Sequence, residues 1–322
     1  MPERVRPISR GIDSRALPPR RSHLITALIF VLAVTHVARA QSFEDAELLR
    51  SREVHAGVMY GSDSWSEYWE GSLRRSNGNV GSVTTRSVTV SAAAGLTDRI
   101  TVMGALRYVW TEASQGVLHG MSGRQDLTLL AKYRIASPRI AGRARLKVVA
   151  VGGVSAPTSS YTPDFLPMSI GLHSKSAMAR LAAHLQDRTG WFVDGYAERM
   201  FRSNVTLDRS AYFTDGQYVE TNEVAMPDVA MYRGSVGWQR GAWWIPVGVS
   251  AQRTLGGGDI RRQDMPFVSN RMNATVAHAD VMYFLPGISN LRLDLGAART
   301  LNGRNVGRST SFMTGLTYAL HL

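Results

Sequence analysis

The residues best equipped for chemistry are few and badly placed for it. His278-Ala-Asp280 sets an imidazole and a carboxylate two positions apart, which puts both on one face of an extended strand. Such a couple can move a proton, but hydrolysis by covalent attack needs a nucleophile within reach of the base. No serine lies two positions from His278, His184 or His55. His119 falls in a Gly- and Ser-rich stretch between regular segments. Gly256-Gly257-Gly258-Asp259 lacks the Lys-Ser/Thr and the following helix of a phosphate loop. The chain has no cysteine, which excludes a thiol nucleophile, an iron–sulfur centre, a Cys-ligated zinc and a disulfide framework. No His/Asp/Glu spacing resembles a metal site. The reading is of a non-enzyme with neither cofactor nor metal.

A second set of charged residues has a different regularity, because its members share one parity within alternating segments. These are Arg107, Asp126, Lys132, Arg134, Arg145, Lys147, Arg180, His184, Asp194, Glu198, Arg233, His278, Asp280, Arg292 and Asp294. The elements that carry them read as strands. Asp126 to Ile135 places Leu127, Leu129, Ala131, Tyr133 and Ile135 on one face, and Asp126, Thr128, Lys132 and Arg134 with Leu130 on the other. Leu291 to Thr300 separates Leu291, Leu293, Leu295 and Ala297 from Arg292 and Asp294 in the same way. Side chains alternate across a strand, so each segment has two faces.

This period predicts about twelve strands, near 52–60, 80–94, 100–112, 124–135, 143–155, 176–187, 191–202, 227–239, 242–254, 271–283, 291–301 and 310–322. Most exceed the roughly five to six residues of a soluble strand and reach the roughly nine to eleven that cross a bilayer. Short connections at 95–99, 136–142, 188–190, 240–241 and 284–290 alternate with long ones at 61–79, 113–123, 156–175, 203–226, 255–270 and 302–309. That alternation is the pattern of an all-β, antiparallel up-and-down transmembrane β-barrel. Tyr133, Trp191, Trp238, Trp243, Tyr283 and Tyr318 cluster on the apolar parity by short turns or the C-terminus. Tyr60, Tyr108, Trp110 and Phe312 cluster by long loops, which predicts two aromatic girdles. A large soluble sandwich would instead bury its aromatics mid-strand.

The shared parity of the charges then makes them the lumen lining, since Arg or Lys facing lipid at the midplane costs about 2–4 kcal/mol. Two roles are open to them: selecting solutes by charge, with a basic excess favouring anions, or filling the barrel with internal ion pairs. In the long loops, Trp65, Tyr68 and Trp69 (within Ser64–Ser72) and Phe165 are candidates for a plug or lid.

The leading residues carry an apolar run, Leu24 to Val37, preceded by arginines and followed by Ala38-Arg39-Ala40. Residues 1–40 read as a cleaved secretory signal peptide, and 41–322 as a single barrel domain. Arg20-Arg21 also permits a twin-arginine signal, though an ordinary basic leader suffices. The net charge of +12 falls to +7 without the leader's seven arginines and two acids. What remains is dispersed, with no basic run, which argues against nucleic-acid binding.

Three ordered segments carry a resemblance. They are Ala94-Gly-Leu-Thr-Asp-Arg-Ile-Thr-Val102, Gly123-Arg-Gln-Asp-Leu-Thr-Leu-Leu-Ala-Lys-Tyr-Arg134 and Val151-Gly-Gly-Val-Ser-Ala-Pro-Thr-Ser-Ser160. Together they resemble the outer-membrane barrels of the "MetA-pathway of phenol degradation", or transporter, family. Ser159 stands where that family commonly has Gly, and His321-Leu322 ends the chain where many barrels end in an aromatic. The resemblance implies passage of small, often hydrophobic, molecules and supplies no catalytic residues. The expectation is an outer-membrane barrel that passes small solutes passively in a Gram-negative-type bacterium. Its partners would be outer-membrane lipid, a small-molecule solute and the barrel-assembly machinery. The alternative is a structural or adhesive barrel with a filled lumen that acts through its long loops.

Overall fold

The computed structural model describes residues 44–261, 266–288 and 290–322, so the expected signal peptide lies outside the described residues. Twelve long strands form the wall. They are β1 (Glu53–Trp65), β2 (Val83–Thr97), β3 (Ile100–Ala113), β4 (Ser122–Ala136), β5 (Ala144–Pro157), β6 (Ser176–Asp187), β7 (Trp191–Arg202), β8 (Val229–Arg240), β9 (Trp243–Thr254), β10 (Asn273–Phe284), β11 (Leu291–Arg304) and β12 (Thr310–His321). Each pairs antiparallel with its neighbours in sequence, and β12 returns to β1 from Glu53↔His321 to Ser64↔Thr310. The sheet is therefore closed and has no free edge. The two-residue strand Arg139–Ile140 pairs with the start of β5 inside a turn.

The strands come from the alternation, but pairing carries some of them beyond it. The polar run at the end of β1, Gly61-Ser-Asp-Ser64, reads as loop, yet it stays in register with β2 and β12. Backbone hydrogen bonds do not need apolar side chains, so the wall extends above the apolar belt. Short and long connections alternate along the chain except at 305–309, which joins β11 to β12 at the long-loop end in only five residues, and β1 begins on the rim of short turns where β12 ends.

Outward side chains form a continuous apolar belt. Val58, Val90, Leu129, Val154, Leu181, Val193, Val236, Val247, Leu295 and Leu316 come from ten different strands and are all exposed. A water-facing surface rarely carries so large an apolar band, whereas a lipid-facing one requires it. Aromatics bound it on both sides. Trp243 and Tyr283 pack 4.3 Å apart by the short turns, and Tyr60, Trp110 and Tyr108 form a cluster at the long-loop end. Leu181, near the middle of β6, gives the test of this orientation. Leu181→Arg should destabilise the barrel by about 2–4 kcal/mol in denaturant unfolding from lipid vesicles. Thr128→Arg, toward the lumen, should cost clearly less; equal costs would contradict the assignment of faces.

Candidate functional site: the barrel lumen and its two ends

The inward parity gathers the charged residues into pairs around the lumen wall. Arg180 on β6 meets Glu198 on β7, with Nε–Oε2 at 2.7 Å, and its guanidinium lies 4.4 Å over the Tyr196 ring. Arg292 and Asp294, two apart on β11, pair at 2.7 Å, and Thr317 of β12 donates to Asp294 at 2.9 Å. Arg233 on β8 approaches His278 Nδ1 at 3.2 Å and Asp280 at 3.4 Å. The His278–Asp280 couple is thus held in an ion cluster with an arginine. Asp194 accepts from Ser235 and lies 3.8 Å from His184.

The remaining cations are met by the segment that precedes β1. Lys132 is fully buried, and its ammonium donates to the Asp45 carboxylate and the Asp45 carbonyl, both at 2.9 Å. Lys147 pairs with Glu47, which also lies 3.9 Å from His184, and Arg233 pairs with Glu44. Among and after these acids the segment buries Ala46, Leu48 and Leu49 against Ala93, Met103, Leu130, Val149, Val151, Ala182 and Tyr196 of the wall. Leu49 N–H donates to Thr101 Oγ1 at 3.0 Å. Gly95 makes room where the segment leaves the wall, because a Cβ there would stand 1.9 Å from the Arg50 carbonyl oxygen. Residues 44–49 are therefore an internal filling of the short-turn half of the lumen.

The sequence reading did not anticipate this filling. Parity assigns a role only to residues within strands, and Glu44-Asp45-Ala46-Glu47 has no strand period. One signal was present: the anticipated lumen residues hold eight Lys or Arg against five carboxylates, and Glu44, Asp45 and Glu47 supply the three acids that balance them.

Arg134 and Arg145 sit at the short-turn rim. Arg134 donates to the Asp98 carbonyl at 2.5 Å, and Arg145 is exposed beside Arg139, Arg143 and Arg188. Asp126, at the other end of β4, accepts from the hydroxyl of Tyr161 at 2.9 Å. Burial and the Asp126 charge push the Tyr161 hydroxyl well above its ordinary value, so it remains a donor. Arg107 on β3 donates to Ser87 Oγ at 2.8 Å.

The long loops pack on one another at the opposite end. Met168 is buried with Val80, Val83, Trp65 and Leu118, so the 158–175 connection reaches the β1–β2 loop, and Thr111 Oγ1 donates to the Met168 carbonyl at 2.6 Å. Val205, Leu207, Tyr212, Val224 and Met226 of the 203–228 connection form a separate apolar cluster with Phe267, Val268, Leu166 and Leu172. Trp65 closes β1 and its ring lies 6.2 Å from that of Tyr68, tilted by 57°. Trp69 is buried in the short hairpin Glu67–Ser76, above Gly303. Phe165 is exposed. Asp259 ties this layer to β11 through both carboxylate oxygens, with Arg304 Nε at 2.7 Å and Nη2 at 2.5 Å and Asn305 Nδ2 at 2.8 Å.

Between the acidic segment and the loops lies a chamber of about 590 Å³. Its wall includes Gly57, Met59, Thr89, Ser91, Met103, Arg107, Asp126, Trp244, Met282 and Met313. That volume is within the roughly 300–1,000 Å³ usual for small-molecule sites.

No protein-family model matches the sequence, and no curated protein matches it. Among solved structures, an outer membrane channel of Pseudomonas putida F1 superposes with a TM-score of 0.71 at 16% identity, over 88% of this chain and 100% of the other. The fold is that of an outer-membrane β-barrel. The KdgM porin (TM-score 0.44, 8% identity, 82% of this chain and 99% of that one) and the CymD monoaromatic hydrocarbon channel (0.40, 12%, 85% and 89%) overlap too loosely to add to this.

Two tests follow from the ends of the lumen. The chain lacks cysteine, so Ala46→Cys gives a single buried thiol. Adding Asp45→Ala removes the carboxylate that Lys132 pairs with, and losing one partner of a buried ion pair costs about 3–5 kcal/mol. Maleimide labelling of Cys at 46 should then accelerate at least about tenfold; unchanged labelling would mean that the Lys132 pair does not hold the segment. The second test concerns acid. Arg304 first, then Asn305, hold the Asp259 carboxyl at about 2, below its ordinary 3.8. A depressed carboxylate stabilises above its unfolded value and loses that contribution as pH falls through the folded one. The loop tie should therefore survive pH 4 and fail near pH 2, followed by the accessibility of a cysteine placed at Ser269 to a pyridyl disulfide, which, unlike a maleimide, still reacts with thiols in acid. Asp259→Asn should already label faster at pH 7.

Proposed function

We propose that this protein is a passive channel for small solutes in the outer membrane, reached after export by the leader peptide and insertion by the barrel-assembly machinery. The observation that carries the reading is the chamber of about 590 Å³ inside a closed barrel with a lipid-compatible exterior. The resemblance to the phenol-degradation transporter family and the likeness to the Pseudomonas putida F1 channel support it. The site arrangement favours binding and passage over turnover. The lumen histidines are each held against a wall carboxylate, His184 3.8 Å from Asp194 and His278 3.6 Å from Asp280.

Selectivity on this reading is set by a wall with excess positive charge and by a segment that cancels it. An ion pair in a narrow lumen reduces the field that a passing ion meets, and removing one partner restores it. The filling segment also narrows the short-turn half, so conduction requires either a path beside it or its displacement.

The test is single-channel recording in a planar bilayer, after heat-modifiable gel mobility has shown the barrel folded. Steady conductance with weak ion selectivity is expected. The triple replacement Glu44→Gln, Asp45→Asn, Glu47→Gln should raise conductance and shift the reversal potential toward anions, because Lys132, Lys147 and Arg233 each then face one carboxylate fewer. A folded barrel that stays silent in both forms would rule out the channel and favour a filled structural barrel acting through its loops.

A further inference from the structure

We infer that the chamber binds a small monoanion with an apolar body, of the aromatic carboxylate class, with its charge on Arg107. This deepens the channel reading, which supplies the route by which such a molecule arrives.

The charges lining the chamber are unequally satisfied. Arg233 and Arg292 have carboxylates at ion-pair distance. Each lining carboxylate also has a donor: Glu44 has Arg233, Asp45 has Lys132, Asp126 has Tyr161, Asp194 has Ser235, Asp280 has Arg233 and Asp294 has Arg292. Arg107 differs. Among the described residues no carboxylate lies within 4 Å of its guanidinium, and its hydrogen bond is to a neutral hydroxyl, Ser87. A guanidinium offers five N–H donors in a planar fork, so most remain for a ligand. The side chain is exposed although it points inside the barrel, so the opening is to the chamber.

The backbone explains why Arg107 is left this way. The β3–β4 ladder steps from Leu106↔Leu127 to Tyr108↔Arg124, so Arg107 stands at a bulge opposite two residues, Gln125 and Asp126. Bulges re-aim side chains. Asp126, the acid across the bulge, is turned to the Tyr161 hydroxyl of the long loop. Thr89, opposite Arg107 on β2, and the neighbouring pair Ser91 and Ala105 are small and uncharged, and the carboxylate that does act on the guanidinium, Asp63 on β1, lies beyond ion-pair distance and is held by the hydroxyls of Ser309 and Ser311.

The other half of the ligand follows from the methionines. Met59, Met103, Met282 and Met313 line the same chamber. Thioether side chains are flexible and polarisable, and they make favourable contacts with aromatic rings. A bare inorganic anion would leave that surface uncovered, and a hydrocarbon would leave the Arg107 donors unmatched. A carboxylate accepts the guanidinium fork with two parallel bonds, which a point anion cannot do.

The experiment is calorimetric titration of the refolded full-length protein with benzoate, benzamide (the neutral counterpart) and acetate (the same charge without the ring). Benzoate should bind at least about tenfold more tightly than either, the worth of a charge-assisted bond pair or of an apolar body. Arg107→Gln should weaken benzoate at least about tenfold and leave benzamide unchanged, and Arg107→Lys should fall between. If Arg107→Gln does not fold, Met313→Thr tests the other half by lowering the benzoate-to-acetate ratio. Equal binding of benzoate and benzamide, or unchanged benzoate binding by a folded Arg107→Gln barrel, overturns the assignment. Parallel conductance separates the two readings. Conductance without benzoate binding removes the site and leaves the channel; benzoate binding in a silent barrel removes the channel and leaves the site.

Discussion

Backbone groups have no water to bond in hydrocarbon, and each one left unpaired costs several kcal/mol. A sheet that crosses a bilayer must therefore close. Here closure is made by β1 with β12, twelve residue pairs from Glu53↔His321 to Ser64↔Thr310. The other features follow from it. Closure gives every strand an inside and an outside, converts period two in the sequence into two solvents, and confines all polar alternates to one narrow volume.

Confinement creates the second constraint. Charges that would be screened singly on a surface share a lumen in which desolvation is costly and attraction strong. The wall meets this by pairing across adjacent strands, as with Arg180 and Glu198, or within one strand, as with Arg292 and Asp294. Three wall cations are instead answered from outside the wall, by Glu44, Asp45 and Glu47. The segment is thus fixed by electrostatics as much as by Leu48 and Leu49. Burial of those two contributes about 1.5–3 kcal/mol each. A buried Lys132 without Asp45 would be far more costly than an exposed one, so wall and segment depend on each other.

The wall was legible in the sequence because its signal is local. Leu127, Leu129 and Ala131 against Thr128, Leu130 and Lys132 specify two faces whatever the neighbouring strand is. Alternating connection lengths then order the strands. Strand ends were less legible: Gly61–Ser64 has no apolar alternation, and only its register with β2 and β12 makes it strand. The contents of the barrel were not legible, for two reasons. The pairing of Asp45 with Lys132 spans 87 positions and obeys no period. The loop layer depends on contacts such as Met168 with Val83, which join residues that each look like ordinary loop. Trp65, Tyr68 and Trp69 were identifiable as unusual in a loop, but not as members of a packed layer with Gly303 and Gly307.

This difference between wall and contents bears on function. Moving a wall residue means breaking ladder hydrogen bonds on both sides, so the wall is a fixed frame. The segment 44–49 enters from one end and is held by side chains. The loop layer has its own apolar clusters and clasps such as Asp259–Arg304. Whatever opens or narrows the lumen therefore acts through these two fillings, and the chamber between them is where both can affect a bound solute. Arg107 belongs to the rigid part, at a bulge in the wall, while Asp126 beside it is engaged by a loop residue, Tyr161. Release of that loop contact would free the Asp126 carboxylate and so change the charge that this end of the chamber presents to an anion. Loop position and anion affinity are then two readings of one equilibrium, and each must shift the other by the same free energy.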